Sequence, residues 1–113
     1  MTTIYHNPRC SKSREALQLL ETHHEKVQVI HYLETPPSVE QLQEILELLG
    51  KRPIDLVRTK EPLWKERYQS KKLSGKKLLQ VLSKNPQLIE RPIVIKNHKA
   101  IIARPPEIVK EIL

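Results

Sequence analysis

The chain has 113 residues, 38% of them hydrophobic, and carries a net charge of +7 from 20 Lys and Arg against 13 Asp and Glu. That size and apolar content suit one domain around one core, and the single cysteine excludes an internal disulfide. Two glycines exclude a glycine-rich phosphate cradle, and the absence of a long apolar run or an export leader points to the cytoplasm, with no membrane partner.

Thr2 to Tyr5 is a short β-prone run ended by Asn7-Pro8. Ala16, Leu17, Leu19 and Leu20 then recur at helical spacing, which predicts a helix from near Cys10 to about Thr22. Val27 to Tyr32 reads as a second strand, broken by Thr35-Pro36-Pro37, so that the first 35 residues form a βαβ unit with a parallel pair. Ser38 with Gln41 forms a capping box, and Val39, Leu42, Ile45, Leu46 and Leu49 make an apolar stripe that stops before Gly50. Shorter helical pieces follow at Pro53 to Arg58, Pro62 to Tyr68 and Gly75 to Lys84, so residues 38 to 89 read as a helical insert.

The end of the chain returns to β structure. Ile93-Val94-Ile95-Lys96 and Lys99-Ala100-Ile101-Ile102 flank Asn97-His98, a two-residue turn that sets Ile95 opposite Ala100 and Ile93 opposite Ile102. Both faces of this hairpin are apolar, which predicts helices on both sides of the sheet and a closing helix after Pro105-Pro106. The expected fold class is α/β, a small mixed four-stranded sheet.

Extending the hairpin register brings Arg91 opposite Arg104. Two arginines about 5 Å apart repel unless an anion lies between them, and guanidinium forks suit a tetrahedral oxyanion. The alternative is that Glu90 or Glu107 pairs with one of them, or that they splay into water.

Cys10 sits at a predicted helix start among Arg9, Lys12 and Arg14, where unpaired N–H groups and positive charge favour a thiolate. Lowering its pKa from about 8.5 to about 6 takes roughly 3.4 kcal/mol. The competing reading is a buried small hydrophobe. His6 lies across the Asn7-Pro8 turn, placed to donate a hydrogen bond to the sulfur; simple surface exposure is the commoner fate of such a histidine. His23, His24, His31 and His98 show no zinc spacing, so no metal is expected. Ser13 stands where a Cys-x-x-Cys motif has its second cysteine, so turnover through an oxidised Cys10 needs an external thiol. The basic charge favours an anionic partner, while four aromatic residues leave little for stacking nucleic-acid bases.

YHNPRCSKSR, HYLETPP, DLVRTKEP, ERPIVI and ARPPE, in this order along the whole chain, resemble the glutaredoxin-linked arsenate reductase family, in particular its short arsenate-reductase-like branch. The resemblance implies a thioredoxin-like fold with an inserted helical subdomain. It implies that Cys10 attacks arsenate, that His6 helps lower its pKa, and that Arg58, Arg91 and Arg104 grip the oxyanion, with Asn7, Ser13 and Arg14 in support. It further implies glutathione as co-substrate, glutaredoxin as partner, no bound cofactor, a monomer, and a cis Arg91-Pro92 peptide. Ser11-Lys12-Ser13 departs from the family's usual Gly-Thr-Ser, and Arg9 replaces a small residue. Two other functions stand beside this one: an RNA-polymerase-binding regulator of the Spx type, and a monothiol glutathione-dependent oxidoreductase acting on mixed disulfides. Ser13 and Arg104 favour the reductase branch, since Spx-type regulators commonly carry Cys-x-x-Cys and lack the second of these.

Overall fold

The β-prone runs at the two ends of the chain meet in one sheet, while the stretch between them folds as helices. The computed structural model describes residues 1–113 and separates into two compact units, Met1–Thr35 with Arg91–Leu113, and Pro36–Glu90.

The first unit runs β1 (Thr2–Tyr5), α1 (Ser11–Thr22), β2 (Val27–Ile30), β3 (Ile93–Lys96), β4 (Lys99–Ile102) and a closing 3-10 helix, Pro106–Glu111. Its strands lie in the order β2-β1-β3-β4. β1 is parallel to β2, with Thr2 opposite Val27, and antiparallel to β3, with Ile4 opposite Val94. This mixed four-stranded sheet is the thioredoxin-like arrangement. Ile4 and Val94 on the central strands join Ala16 and Leu20 of α1, with Ala103 and Val109, in one fully buried cluster. The aliphatic stripe of α1 therefore decides which helix face meets the sheet, a buried leucine such as Leu20 contributing roughly 1.5–3 kcal/mol.

The hairpin adopts the register expected of a two-residue turn, Ile93 opposite Ile102 and Ile95 opposite Ala100. Asn97 and His98 take φ values of 50° and 61° to make it. The ladder continues one step beyond the strands, where the Ala103 N–H donates to the Pro92 carbonyl at 2.9 Å. Arg91-Pro92 is cis, as the resemblance implies, and Arg104-Pro105 is cis as well. At the other end of the sheet the Glu25 carboxylate accepts from the Thr2 hydroxyl at 2.8 Å and from the Lys96 ammonium at 2.6 Å. That contact offsets the like charges of Lys96 and Lys99, which stand opposite one another.

Three boundaries differ from expectation. β2 ends at Ile30, because His31 to Thr35 turn back on themselves, the amides of Glu34 and Thr35 both donating to the His31 carbonyl at 2.9 Å. The piece expected at Pro53 to Arg58 is a single 3-10 turn, Pro53–Leu56, and leaves Arg58 outside it. The closing segment, expected as a helix, is a six-residue 3-10 helix, Pro106–Glu111, with the Ile108 amide donating to the Pro105 carbonyl at 3.1 Å and the Ile112 amide to the Val109 carbonyl at 3.2 Å, the i to i+3 spacing of that helix type.

In the second unit, α2 (Val39–Leu49) starts with the Ser38–Gln41 capping box and ends on Gly50 at φ 65°. α3 (Pro62–Arg67) and α4 (Gly75–Lys84) follow, and α2 packs on α4, with Leu42 and Ile45 of the first and Leu78 and Leu82 of the second buried. Trp64 is buried and stacks on Tyr68 at 6.2 Å, a packing role.

Candidate active site

Asn7 and Pro8 end β1 and turn the chain into α1. The Asn7 carbonyl accepts the Cys10 N–H at 3.0 Å, and the Asn7 side-chain oxygen accepts the Arg9 N–H at 3.0 Å. Cys10 caps α1 with extended φ and ψ of −94° and 121°, its carbonyl accepting from the Arg14 amide at 3.0 Å. It is thus the residue before the first helical one, which leaves the free amides of the first turn on its side chain. The Arg14 guanidinium donates back to the Pro8 carbonyl at 2.9 Å, tying helix to turn.

Ser13 is the centre of this turn. Its side chain is fully buried, its oxygen accepts the Asn7 N–H at 3.0 Å, and it lies 2.6 Å from His6 Nδ1. A neutral His6 with its proton on Nε2 satisfies all three groups, since Ser13 then donates to Nδ1 while accepting from Asn7. Burial first, then the charges of His31 and Arg14, hold the His6 pKa below its ordinary value, which favours that neutral form. The expected hydrogen bond from His6 to the sulfur is replaced by this one: burial of the ring against the turn aims Nδ1 at Ser13.

The Cys10 thiol is partly exposed. Arg104 Nη1 lies 3.9 Å from its sulfur and 3.3 Å from the Arg91 carbonyl. Partial burial pushes the thiol pKa up, but the Ser13 amide, the Arg91 charge, the Lys12 amide and the Arg104 charge outweigh it, and the net displacement is downward. The arginines at the two outer ends of the hairpin therefore meet at the capping thiol, as the register predicts. Lys12, by contrast, makes an exposed pair with Glu15 at 3.9 Å, which contributes little. Arg58 belongs to the helical unit, where its guanidinium pairs with Glu61 at 3.2 Å and donates to the Gln87 carbonyl at 3.3 Å. No group of three or more His, Cys, Asp or Glu side chains is placed to hold a metal ion.

Beside the cysteine turn, His6 to Arg9 and His31, Leu33 and Glu34 line a groove of about 290 Å³. The signal for it is positional: β1 and β2 are parallel, so the loops after both strands open at the same sheet end, the usual place for a ligand crevice in such sheets.

A model of the ArsC family matches residues 5–112. The chain is 46% identical over 112 residues to an arsenate reductase of Haemophilus influenzae, covering 97% of each protein. It is 36% identical to an arsenate reductase of Escherichia coli K12, covering 98% of this chain and 79% of that one. The solved structure of an arsenate reductase from Vibrio cholerae matches with a TM-score of 0.94 at 49% identity, over 99% of this chain and 97% of that one. A match this extensive, on top of a thiol and two guanidinium groups converging at one helix start, means that the chain belongs to the ArsC family.

Proposed function

We propose that the protein reduces arsenate, or a closely related oxyanion, to arsenite through a covalent adduct on Cys10, with glutathione and glutaredoxin supplying the electrons. The observation that carries this reading is the Cys10 sulfur at a helix start, its pKa lowered, with Arg104 Nη1 3.9 Å away. A thiolate needs its own positive surroundings to exist at neutral pH, and the same guanidinium charge neutralises the incoming oxyanion as sulfur approaches arsenic.

In the first step the Cys10 thiolate bonds to arsenic and one arsenate oxygen leaves as water, taking protons from solvent; arsenic stays pentavalent. Glutathione then displaces a second oxygen, again as water. A glutaredoxin thiolate attacks the glutathione sulfur, forming a disulfide and leaving the sulfur–arsenic electron pair on arsenic, which becomes trivalent. Water cleaves the remaining sulfur–arsenic bond, releasing arsenite and the Cys10 thiol. External thiols are required because Cys10 is the only cysteine. In this reading Arg91 and Arg104 hold the oxyanion beside the sulfur, Arg58 joins them by family resemblance, and His6 acts through Ser13 as a positioning residue. Neither a metal nor a bound cofactor enters any step.

The test is arsenite production from arsenate in the presence of glutathione and glutaredoxin. Cys10→Ser should abolish it, and Arg104→Ala should lower kcat/KM by about 100-fold, the order of losing a charge-stabilising donor. Equal rates in wild type and Cys10→Ser would overturn the reading.

A further inference from the structure

The groove beside the cysteine turn presents opposite charges on its two walls. Arg9 comes from the turn that carries Cys10, Glu34 from the turn after β2, and both are exposed. Neither the Arg9 guanidinium nor the Glu34 carboxylate takes part in an ion pair within the protein. Facing a common groove without closing on each other, they leave room for something dipolar between them. Leu33, 41% exposed, adds apolar surface to the same lining.

We infer that this groove takes the γ-glutamyl end of glutathione, with Arg9 on its α-carboxylate and Glu34 on its α-ammonium. This rests on the reductase reading for the identity of the co-substrate and adds where that co-substrate sits. The γ-glutamyl end is the part of glutathione that carries an ammonium and a carboxylate on one carbon, which matches one cation and one anion on facing walls. A guanidinium takes a carboxylate through two parallel hydrogen bonds, a selectivity a lysine would not give. Leu33 then packs on the methylene groups of the same residue. Arg9 immediately precedes Cys10, so a ligand anchored by Arg9 lies against the turn that carries the sulfur. The groove also lies on the side of the turn formed by Asn7 and Pro8, where Asn7 is fixed by Ser13 and needs no ordering on binding.

Backbone amide NMR shifts, followed while the protein is titrated with S-methylglutathione, test this without any redox chemistry. Saturable shifts should appear at Asn7 to Arg9 and His31 to Glu34. Arg9→Ala and Glu34→Gln should each weaken Kd by about tenfold. S-methylcysteinylglycine, which lacks the γ-glutamyl group and so both contacts, should bind wild type about 100-fold more weakly than S-methylglutathione does, and should bind Arg9→Ala and Glu34→Gln as it binds wild type. Shifts confined to other surfaces, or variants that bind S-methylglutathione as wild type does, would overturn the inference. Wild-type protein that binds S-methylglutathione in the groove yet makes no arsenite would remove the reductase reading and keep the groove, while arsenite production without binding there would do the reverse.

Discussion

Ser13 shows how much of a reactive turn depends on one hydroxyl. It satisfies the Asn7 amide and His6 Nδ1 in a fully buried position, so Ser13→Ala strands both. The expected cost is about 1–3 kcal/mol in urea denaturation, larger than for a surface serine. Arsenite production should fall with it, through the misplaced turn. The lowered thiol pKa has its own readout: iodoacetamide should alkylate Cys10 with a pH midpoint below that of an unperturbed thiol. Arg91→Ala and Arg104→Ala should each move that midpoint upward, whereas Arg9→Ala should leave it in place. His6 supplies a pH dependence of stability with a definite sign. Its folded pKa lies below the unfolded 6.5, so the unfolded state binds the extra proton first. Its contribution is complete above pH 6.5 and is lost as pH falls from there through the folded value. His6→Gln should flatten that part of the stability profile measured by denaturant titration.

At the level of elements, the hairpin is the part most directly readable from residues alone. Asn97-His98 fixes a two-residue turn, the turn fixes the register, and the register carries Arg91 and Arg104 to the same end of the sheet as the thiol. His98 nevertheless holds φ at 61°, which a glycine adopts without steric cost. His98→Gly should therefore raise stability by roughly 0.5–1 kcal/mol while leaving the thiol titration unchanged. The α1 stripe is equally readable, and Leu20→Ala, emptying a site with no exposure, should cost about 3 kcal/mol. What could not be read was where short elements stop. His31 and Tyr32 have strand-like composition, yet a turn closed on the His31 carbonyl claims them, and composition carries no trace of that hydrogen bond. The partner of His6 was hidden for a similar reason: spacing places Ser13 one turn into the helix, but only the folded loop decides which way the imidazole faces.

Across the whole molecule, positive charge is the broadest property and the easiest to test. A net +7 draws anions over distances set by the Debye length, about 30 Å at 0.01 M salt and 8 Å at 0.15 M. KM for arsenate should rise with ionic strength, while the urea midpoint, set mainly by apolar burial, should move little. The sheet itself separates two duties along four residues of strand. At the end of β1 that leads into the cysteine turn lies the chemistry; at the beginning, Glu25 clasps Thr2 and Lys96. Hydrogen bonds from Lys96 and then Thr2 hold the Glu25 carboxyl below the usual range, so the clasp persists through mild acid and lets go only as pH drops past that lowered value. Strong acid should thus unbutton the hem of the sheet at the border farthest from the sulfur, and amide exchange should quicken around Lys96 and Lys99 in step with that protonation. The fabric is fastened at one margin and worked at the other.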